Sequence, residues 1–207
     1  MRFDLETIAS FIEPGATVLD LGCGDGDLLY FLKKEKKIEG IGIEKDEAKV
    51  ARCIERGIPV IHGDINKEIL DYPANAFDYV ILSRTLQQVY DPAGLIHSML
   101  RVGKKGIVSF PNFGHWRVRW QLLYTGHTPV TRQLPYEWHD TPNIRVITLK
   151  DFRKFSRDTG FRILKISGLV MEKENAGGRV VRFFPNLRAA YGIFLIGKKL
   201  PYESPDS

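Results

Sequence analysis

Three glycines and three aspartates alternate within one short segment, residues 17–27, which reads TVLDLGCGDGD. Gly22, Gly24 and Gly26 follow an apolar stretch directly, and a helical pattern of apolar residues follows them. Glycine at such positions permits a tight turn and lets the backbone approach a ligand closely. The segment therefore predicts a loop that cradles a nucleotide-like cofactor between a strand and a helix.

The charge of this loop separates the two ligand classes that use it, dinucleotides and S-adenosylmethionine (SAM). Dinucleotide loops have a third small residue at the position that Asp27 occupies here. Asp20, Asp25 and Asp27 would also repel a pyrophosphate, since each close pair of like charges costs on the order of 1 kcal/mol or more. SAM presents an ammonium and a sulfonium group, which the same carboxylates attract. The loop thus favours SAM over NAD.

Further candidates for cofactor binding stand at the ends of the next predicted strands. Glu44, 22 residues after Gly22, is placed to accept hydrogen bonds from both ribose hydroxyls. Asp64 is placed to accept from the adenine amino group, with Ile65 packing on the ring, and the backbone of Ser83 to meet the methionine end. Singly, such an acid can be a helix cap or a surface group. Together they form one site, because ligands of open α/β sheets bind at the carboxyl ends of strands.

Catalytic residues are harder to assign. His139, followed by Asp140, has the composition of an oriented general base, but a loop or structural histidine is the commoner case. Asn112 follows the fifth predicted strand and is a candidate for orienting a substrate, with capping or turn formation equally open. Gln87 and Gln88, after the fourth strand, form hydrogen bonds but cannot act as a base near pH 7.

The elements that position these residues alternate between buried strands and helices. Strands that are apolar on consecutive residues are typical of a parallel sheet covered on both faces. We therefore predict a doubly wound, mostly parallel, seven-stranded Rossmann-like α/β sheet. The predicted strands are 17–21, 40–43, 60–61, 77–82, 107–110, 161–170 and 191–197, and the predicted helices after the first are 27–37, 46–56, 66–71, 92–101 and 148–159.

The alternation stops between residues 111 and 147, where tryptophan, tyrosine and proline are frequent and regular patterns few. Long segments of this kind are functional or disordered, and the aromatic content argues against disorder. We expect an ordered insertion after the fifth strand that covers the carboxyl edge of the sheet within one domain, residues 1–207. Its aromatic residues make a small core by default, or else an acceptor pocket or a partner interface.

The composition of the chain indicates its class and its cellular location. The chain of 207 residues has a formal charge of +5, and its 43% hydrophobic content is enough for a substantial core. With two cysteines, Cys23 and Cys53, we expect no structural disulfide and no metal cluster, and hence a cytoplasmic location. No apolar run approaches the roughly 18 residues of a membrane span, and the N-terminus is predicted to be a first helix, not a signal peptide.

The motifs described so far resemble the class I SAM-dependent methyltransferase family, with VLDLGCGDG as its first signature, Glu44 as its second and Asp64 as its third. The resemblance implies that Asp20 and Gly22 contact the methionine part of SAM, Glu44 the ribose and Asp64 the adenine. Many members that act on small molecules carry an acidic residue and a histidine after the fourth strand. This chain has Leu86 to Val89 there instead, reading LQQV.

Three further segments, SRTLQQVYDP, SFPNFGHWRVR and LPYEWHDTPN, closely resemble the methionine biosynthesis protein MetW family, nearly from end to end of the chain. That resemblance implies association with a homoserine O-acyltransferase (MetX-like), as an auxiliary or regulatory subunit that binds SAM or S-adenosylhomocysteine. A free-standing methyltransferase of a small molecule is the alternative.

Arg117, Arg119 and Arg145 stand among aromatic residues, which raises the question of nucleic-acid methylation. The turn that amino-group methylation of bases requires is replaced here by Ser83, Arg84 and Thr85. A nucleophilic cysteine for cytosine methylation is also missing from the expected positions. We expect no nucleic-acid substrate.

Overall fold

One mixed β-sheet runs through the part of the protein that the computed structural model describes, residues 3–171 and 177–199. Its eight strands lie in the order β3-β2-β1-β4-β5-β8-β6-β7. The first five in chain order pair in parallel, whereas the pairs β5–β8, β8–β6 and β6–β7 are antiparallel. The strands are β1 (Thr17–Leu21), β2 (Glu39–Glu44), β3 (Val60–His62), β4 (Phe77–Ser83), β5 (Gly103–Pro111), β6 (Arg162–Met171), β7 (Gly178–Val181) and β8 (Tyr191–Gly197).

The α/β prediction is correct, but the count of seven strands is wrong. The additional strand, β7, pairs with the end of β6 at the edge of the sheet. Its residues are half-buried or exposed, so it lacks the apolar run by which the other strands were recognised. Backbone pairing with β6, which no side-chain pattern reports, makes it a strand.

The helices begin where the sequence supplies caps. The side chains of Asp46 and Asp91 accept hydrogen bonds from backbone N–H groups of the first turns of α3 and α5, and Thr148 forms a capping box with Asp151 at α7. The helices are α1 (Phe3–Ala9), α2 (Asp27–Lys36), α3 (Glu47–Glu55), α4 (Ile65–Glu68), α5 (Pro92–Val102), α6 (Trp116–Thr125), α7 (Leu149–Thr159) and α8 (Pro185–Arg188), with short 3₁₀ helices at Ile69–Asp71 and Leu86–Gln88.

The core consists of two apolar clusters, and successive residues of a strand belong alternately to one and the other. In β1, Leu19 and Leu21 belong to one cluster and Val18 to the other; in β4, Val80 and Ile81 divide in the same way. Successive side chains of a strand point to opposite faces, so the clusters lie on the two faces of the sheet. Helices α5 and α7 contribute to the first cluster, and α1 and α2 to the second. This double coverage fixes the carboxyl edge of the parallel strands, where the site lies.

The segment 111–147 contains a helix, α6, which the sequence analysis did not predict. The remainder has little regular structure beyond an isolated bridge between Thr131 and Leu134. The backbone N–H of Phe113 donates to the carbonyl of Ile147, so the two ends of the segment meet. The backbone N–H groups of Ile144 and Arg145 both donate to the carbonyl of Gln87, at 3.0 Å, which ties the segment to the turn after β4.

Candidate functional site

Two adjoining cavities open at the carboxyl ends of β1, β2 and β4. Their volumes are about 380 and 280 Å³. Both contain the side chains or backbone of Gly22, Gly24, Lys49, Ser83 and Arg84 in their walls, so they are two parts of one cleft. The cleft lies where a parallel α/β sheet binds its ligands.

The loop between β1 and α2 forms one wall of this cleft. Gly22, Gly24 and Gly26 have φ angles of 73°, 58° and 74°, in the left-handed region that favours glycine. A Cβ atom added to Gly24 would meet nothing within 4 Å, whereas one added to Gly26 would lie 3.0 Å from the sulfur of Cys53. The backbone at Gly24 is therefore open to the cleft and available to a ligand.

Glu44 connects the loop to the end of β2. Its buried carboxylate accepts hydrogen bonds from the backbone N–H of Gly24 at 2.8 Å through Oε2, and from those of Lys45 (2.9 Å) and Asp46 (3.0 Å) through Oε1. Bonds from N–H groups to a charged acceptor are stronger than bonds between neutral groups. Glu44 thus fixes the shape of the glycine loop as well as lining the cleft.

Asp20, at the end of β1, is the most unusual group of the site. It is 2% exposed, and its Oδ1 atom has no hydrogen-bond partner among the residues that the structure describes. Burial, with the nearby carboxylate of Glu44 as a second cause, raises the pKa of Asp20 to about 7. A buried polar atom left unpaired is costly, and a cation in the cleft would supply the partner that this carboxylate lacks.

The other predicted cofactor residues lie around the same cleft. Asp64 and Ile65 line the larger cavity, where Asp64 also caps α4 through hydrogen bonds from Asn66 to its Oδ1. The bond from the backbone N–H of Asn66 lowers the pKa of Asp64. Ser83 lines both cavities, and its hydroxyl is 3.0 Å from that of Ser109. All seven residues predicted to bind the cofactor therefore line this cleft, six of them the larger cavity and Asp20 the smaller.

Two basic residues that the sequence analysis did not assign to the site, Arg84 and Lys49, also line both cavities. Arg84 has a φ of 58°, which is uncommon outside glycine, and forms an ion pair at 2.6 Å with the buried Asp4 of α1. Its guanidinium also lies 4.8 Å from the ring centroid of Tyr191. The only sequence signal was a basic residue two positions after a predicted strand, because the contact with Asp4 spans 80 residues.

Asn112 lies outside the walls of the cleft, in a buried network of its own. Its side-chain amide donates to the carbonyl oxygens of Asn186 (2.9 Å) and Ala189 (2.7 Å). Its Oδ1 accepts from the backbone N–H groups of Gly114 (2.9 Å) and Leu149 (3.4 Å). These four bonds use the full capacity of the amide and connect β5 with α7 and α8. A role in orienting a substrate stays a prediction.

His139 is exposed and does not line the cleft. Its ring makes an edge contact with the ring of Trp138 at 5.6 Å. His115 lies elsewhere in the same segment: it is buried, caps α6 by accepting from the N–H of Arg117, and burial lowers its pKa. Neither cavity has a histidine in its walls among the described residues, so a catalytic role for His139 stays untested.

Cys23, within the glycine loop, and Cys53, in α3, are free, buried thiols. Their sulfur atoms are 4.0 Å apart, and Cys53 donates to the carbonyl of Gly24 at 3.2 Å. Burial raises the pKa of both thiols. Among the described residues, no three histidine, cysteine or acidic side chains cluster as metal ligands would, and no helix is long and apolar enough to span a membrane.

Comparison with known sequences identifies the family of the chain. The sequence model of one family, described as "Methionine biosynthesis protein MetW", matches residues 2–196. The bifunctional methionine biosynthesis protein MetXA/MetW of Rhodopirellula baltica is 36% identical over 162 residues, which cover 74% of this chain and 26% of that protein. A ubiquinone biosynthesis O-methyltransferase of Proteus mirabilis is 30% identical over 132 residues, 61% of this chain and 54% of that protein. The chain thus spans about a quarter and about half of these curated relatives.

Solved structures share the fold at lower identity. A SAM-dependent methyltransferase of Thermotoga maritima, described as a possible histamine N-methyltransferase, is 19% identical with a TM-score of 0.71, covering 95% of this chain and 88% of that one. A SAM-dependent methyltransferase of Archaeoglobus fulgidus is 17% identical with a TM-score of 0.69, covering 94% and 91%. These likenesses show that the chain has the SAM-dependent methyltransferase fold.

Proposed function

This chain belongs to the MetW family of methionine biosynthesis proteins, and from that premise we propose that it binds SAM and regulates a homoserine O-acyltransferase. SAM, or S-adenosylhomocysteine, occupies the cleft at the carboxyl ends of β1, β2 and β4. The chain acts in the cytoplasm as an auxiliary subunit of the acyltransferase. SAM is a downstream product of methionine synthesis, so its binding allows the pathway to respond to its own output.

The single observation that carries the SAM assignment is the unpaired, buried carboxylate oxygen of Asp20 at the wall of the cleft. The positively charged ammonium group of SAM supplies the partner that this oxygen lacks. Gly24 adds to the fit, since its open backbone leaves space for the cofactor where any side chain would intrude. When bound, SAM supplies an electrophilic methyl group.

The remaining groups of the cleft fit the other parts of SAM. Glu44 accepts from one ribose hydroxyl while it holds the glycine loop, because a carboxylate has about four acceptor positions and the backbone uses three. Asp64 and Ile65 receive the adenine. Arg84 and Lys49 offer positive charge to the carboxylate of the methionine part.

The acyltransferase assignment draws support from the Rhodopirellula baltica relative, whose name joins MetXA and MetW in one bifunctional protein. Our test is an assay of the homoserine O-acyltransferase of the same organism, alone and with this chain, at increasing SAM. We expect the chain to change the acyltransferase rate and SAM to alter that change in a saturable way. A Gly24→Val chain, whose side chain fills the cleft, should leave the rate independent of SAM. Full acyltransferase activity that neither the chain nor SAM affects would refute the proposal.

The second candidate is a free-standing methyltransferase of a small molecule. The 30% identity with a ubiquinone biosynthesis O-methyltransferase favours it. The described residues in the walls of the cleft supply no histidine as a general base for this reaction. Gln88 lines the larger cavity, and neither cavity has a histidine among the described residues. Release of S-adenosylhomocysteine in the presence of an identified acceptor would establish this candidate. Absence of release across fractionated metabolite pools would exclude it in favour of the regulatory role.

A further inference from the structure

Helix α6 carries its apolar stripe on the outside of the molecule. Trp116, Trp120, Leu123 and Tyr124 follow the spacing of one helix side, and all four are exposed; Leu123 is 75% and Tyr124 68% exposed. The residue of α6 that is buried, Val118, lies on the other side. An amphipathic helix normally turns its apolar stripe toward the core. Here the stripe faces solvent.

The stripe is ordered, and a further exposed aromatic residue lies near α6. The rings of Trp120 and Tyr124 stack with centroids 4.5 Å apart and planes 10° from parallel. Beyond α6, Phe184 is 76% exposed and lines one cavity together with Arg119 of α6. Contiguous apolar surface of this kind, rimmed by polar residues, is typical of a site that another molecule covers.

Positive charge surrounds the stripe. Residues 112–136 contain three arginines and no acidic residue. Arg119 of α6 also lines a third cavity, of about 400 Å³, together with Lys150 and Arg153. None of these three cations forms an ion pair with a carboxylate in the described ranges 3–171 and 177–199. The cavity is therefore suited to an anionic group that arrives with an apolar surface.

We infer that this region, the aromatic face, is the docking surface for the homoserine O-acyltransferase. The aromatic face is defined by Trp116, Trp120, Leu123 and Tyr124 with the cavity beside Arg119 and Arg153. The partner presents an apolar patch that covers the stripe and an acidic side chain that enters the cavity. This inference rests on the proposed function, which names the partner but not the surface.

The charge of the face decides between possible occupants. A second copy of this chain, docked on the same face, would bring arginines against arginines, and like charges brought together at an interface are unfavourable. A partner with acidic residues around an apolar patch avoids that repulsion and gains steering by charge. In the Rhodopirellula baltica relative, the part that resembles this chain is 26% of one protein that also bears the name MetXA. Where two such parts are not joined, a docking surface would achieve what that linkage achieves covalently.

The test is the affinity of the full chain for the purified acyltransferase, measured by titration calorimetry. Leu123→Asp places a charge in the stripe, and Ile54→Asp is its matched control, an equally helical and 65% exposed aliphatic residue on α3. We expect Leu123→Asp to weaken the complex at least about tenfold, as for a residue central to an interface, and Ile54→Asp to leave it unchanged. Arg153→Glu should weaken it less, with a shallower dependence on salt. All variants should retain the thermal shift of the wild-type chain with SAM, which shows that they are folded.

The outcomes separate this inference from the proposed function. If the wild-type chain binds the acyltransferase and Leu123→Asp binds equally well, the docking surface is wrong and the partnership stands. If the wild-type chain does not bind the acyltransferase, both the docking surface and the proposed partnership are refuted. The same variants are run in sedimentation and with phosphatidylglycerol vesicles. Loss of self-association or of vesicle binding in Leu123→Asp, with acyltransferase affinity intact, would assign the face to a second copy or to a membrane and overturn the inference.

Discussion

The cleft and the aromatic face use the same kinds of residue in opposite ways. In the cleft, acidic groups are buried: Asp20 and Glu44 are 2% and 7% exposed, and Glu44 is bonded to three backbone N–H groups. On the aromatic face, apolar side chains such as Leu123 are exposed and surrounded by arginines. Buried charge and exposed apolar surface both oppose stability in an isolated chain. Our two proposals account for both features, with a small cation that binds in the cleft and a protein that covers the aromatic face.

The largest loss of SAM affinity should come from filling the cleft. Gly24 and Gly126 have φ angles of 58° and 67°, and a Cβ atom on either would meet nothing within 4 Å. Valine should therefore strain both positions by a similar amount, about 1–2 kcal/mol or more. Only Gly24→Val should abolish SAM binding, with a loss of at least about 100-fold measured by calorimetry. If Gly126→Val lost SAM binding equally, the two regions would not be independent.

Removing one buried polar side chain from the cleft and one from outside it should separate SAM binding from stability. Glu44→Ala leaves three N–H groups without their acceptor and should weaken SAM binding by roughly 1–3 kcal/mol. Asn112→Ala breaks four hydrogen bonds and should lower the free energy of unfolding by about 2–4 kcal/mol, with SAM affinity unchanged. Urea unfolding and SAM titration of both variants check this. A drop in SAM affinity for Asn112→Ala would show that its hydrogen-bond network affects the cleft and would contradict this separation.

Asp20→Asn should weaken SAM binding about tenfold near pH 7.5, because it removes the charge that pairs with the ammonium. The wild-type affinity should rise with pH through about 7, the pKa of Asp20, since the bound cation favours the ionised carboxylate. The Asp20→Asn variant should lack that rise. A titration at pH values from about 5.5 to 7.5 measures it. An equally steep rise in the variant would assign the pH dependence to another group.

The same residue should affect the free chain in the opposite direction. Because the pKa of Asp20 is raised in the folded state, the unfolded chain loses its proton first as pH rises from about 4 to 7. The contribution of Asp20 to the free energy of unfolding is thus complete below the ordinary pKa of an aspartate, and it is lost as pH rises through about 7. Asp20→Asn should remove that loss, worth up to about 4 kcal/mol above pH 7. Thermal melting without SAM at several pH values tests it, and a less stable variant at pH 8 would contradict the account.

The smallest effect should appear in the insertion. His115 caps α6, and burial lowers its pKa, so the unfolded chain takes up a proton first as pH falls and stability from this group declines toward acid. His115→Asn keeps a capping side chain and should abolish this decline. His115→Ala should abolish the decline as well, but it should be about 1 kcal/mol less stable than His115→Asn at every pH because it lacks the cap. Urea unfolding between about pH 5 and 8 distinguishes the two. SAM affinity should not change in either variant.

The elements around the cleft were predictable from the sequence because the signals for them are local. Glycines at left-handed positions, caps such as Asp46 and apolar runs for the central strands each depend on a few neighbouring residues. Predicted strands 17–21 and 191–197 agree with β1 and β8 residue for residue. The three carboxylates Asp20, Glu44 and Asp64 lie at the end of β1, at the end of β2 and just after β3.

The features that sequence analysis missed depend on contacts distant in the chain or on partners. β7 is a strand because β6 pairs with it, and Arg84 belongs to the cleft through a turn of positive φ and an ion pair with Asp4. α6 was missed for a different reason. Its apolar residues do follow helical spacing, but only over 10 residues of a segment that otherwise shows few regular patterns.

The central claim is that the cleft binds SAM, and calorimetric titration of the wild-type chain with SAM, S-adenosylhomocysteine and NAD under the same conditions tests it most directly. We predict saturable binding of SAM and S-adenosylhomocysteine, with one ligand per chain, and no heat of binding with NAD. Binding of NAD without binding of SAM would contradict the account.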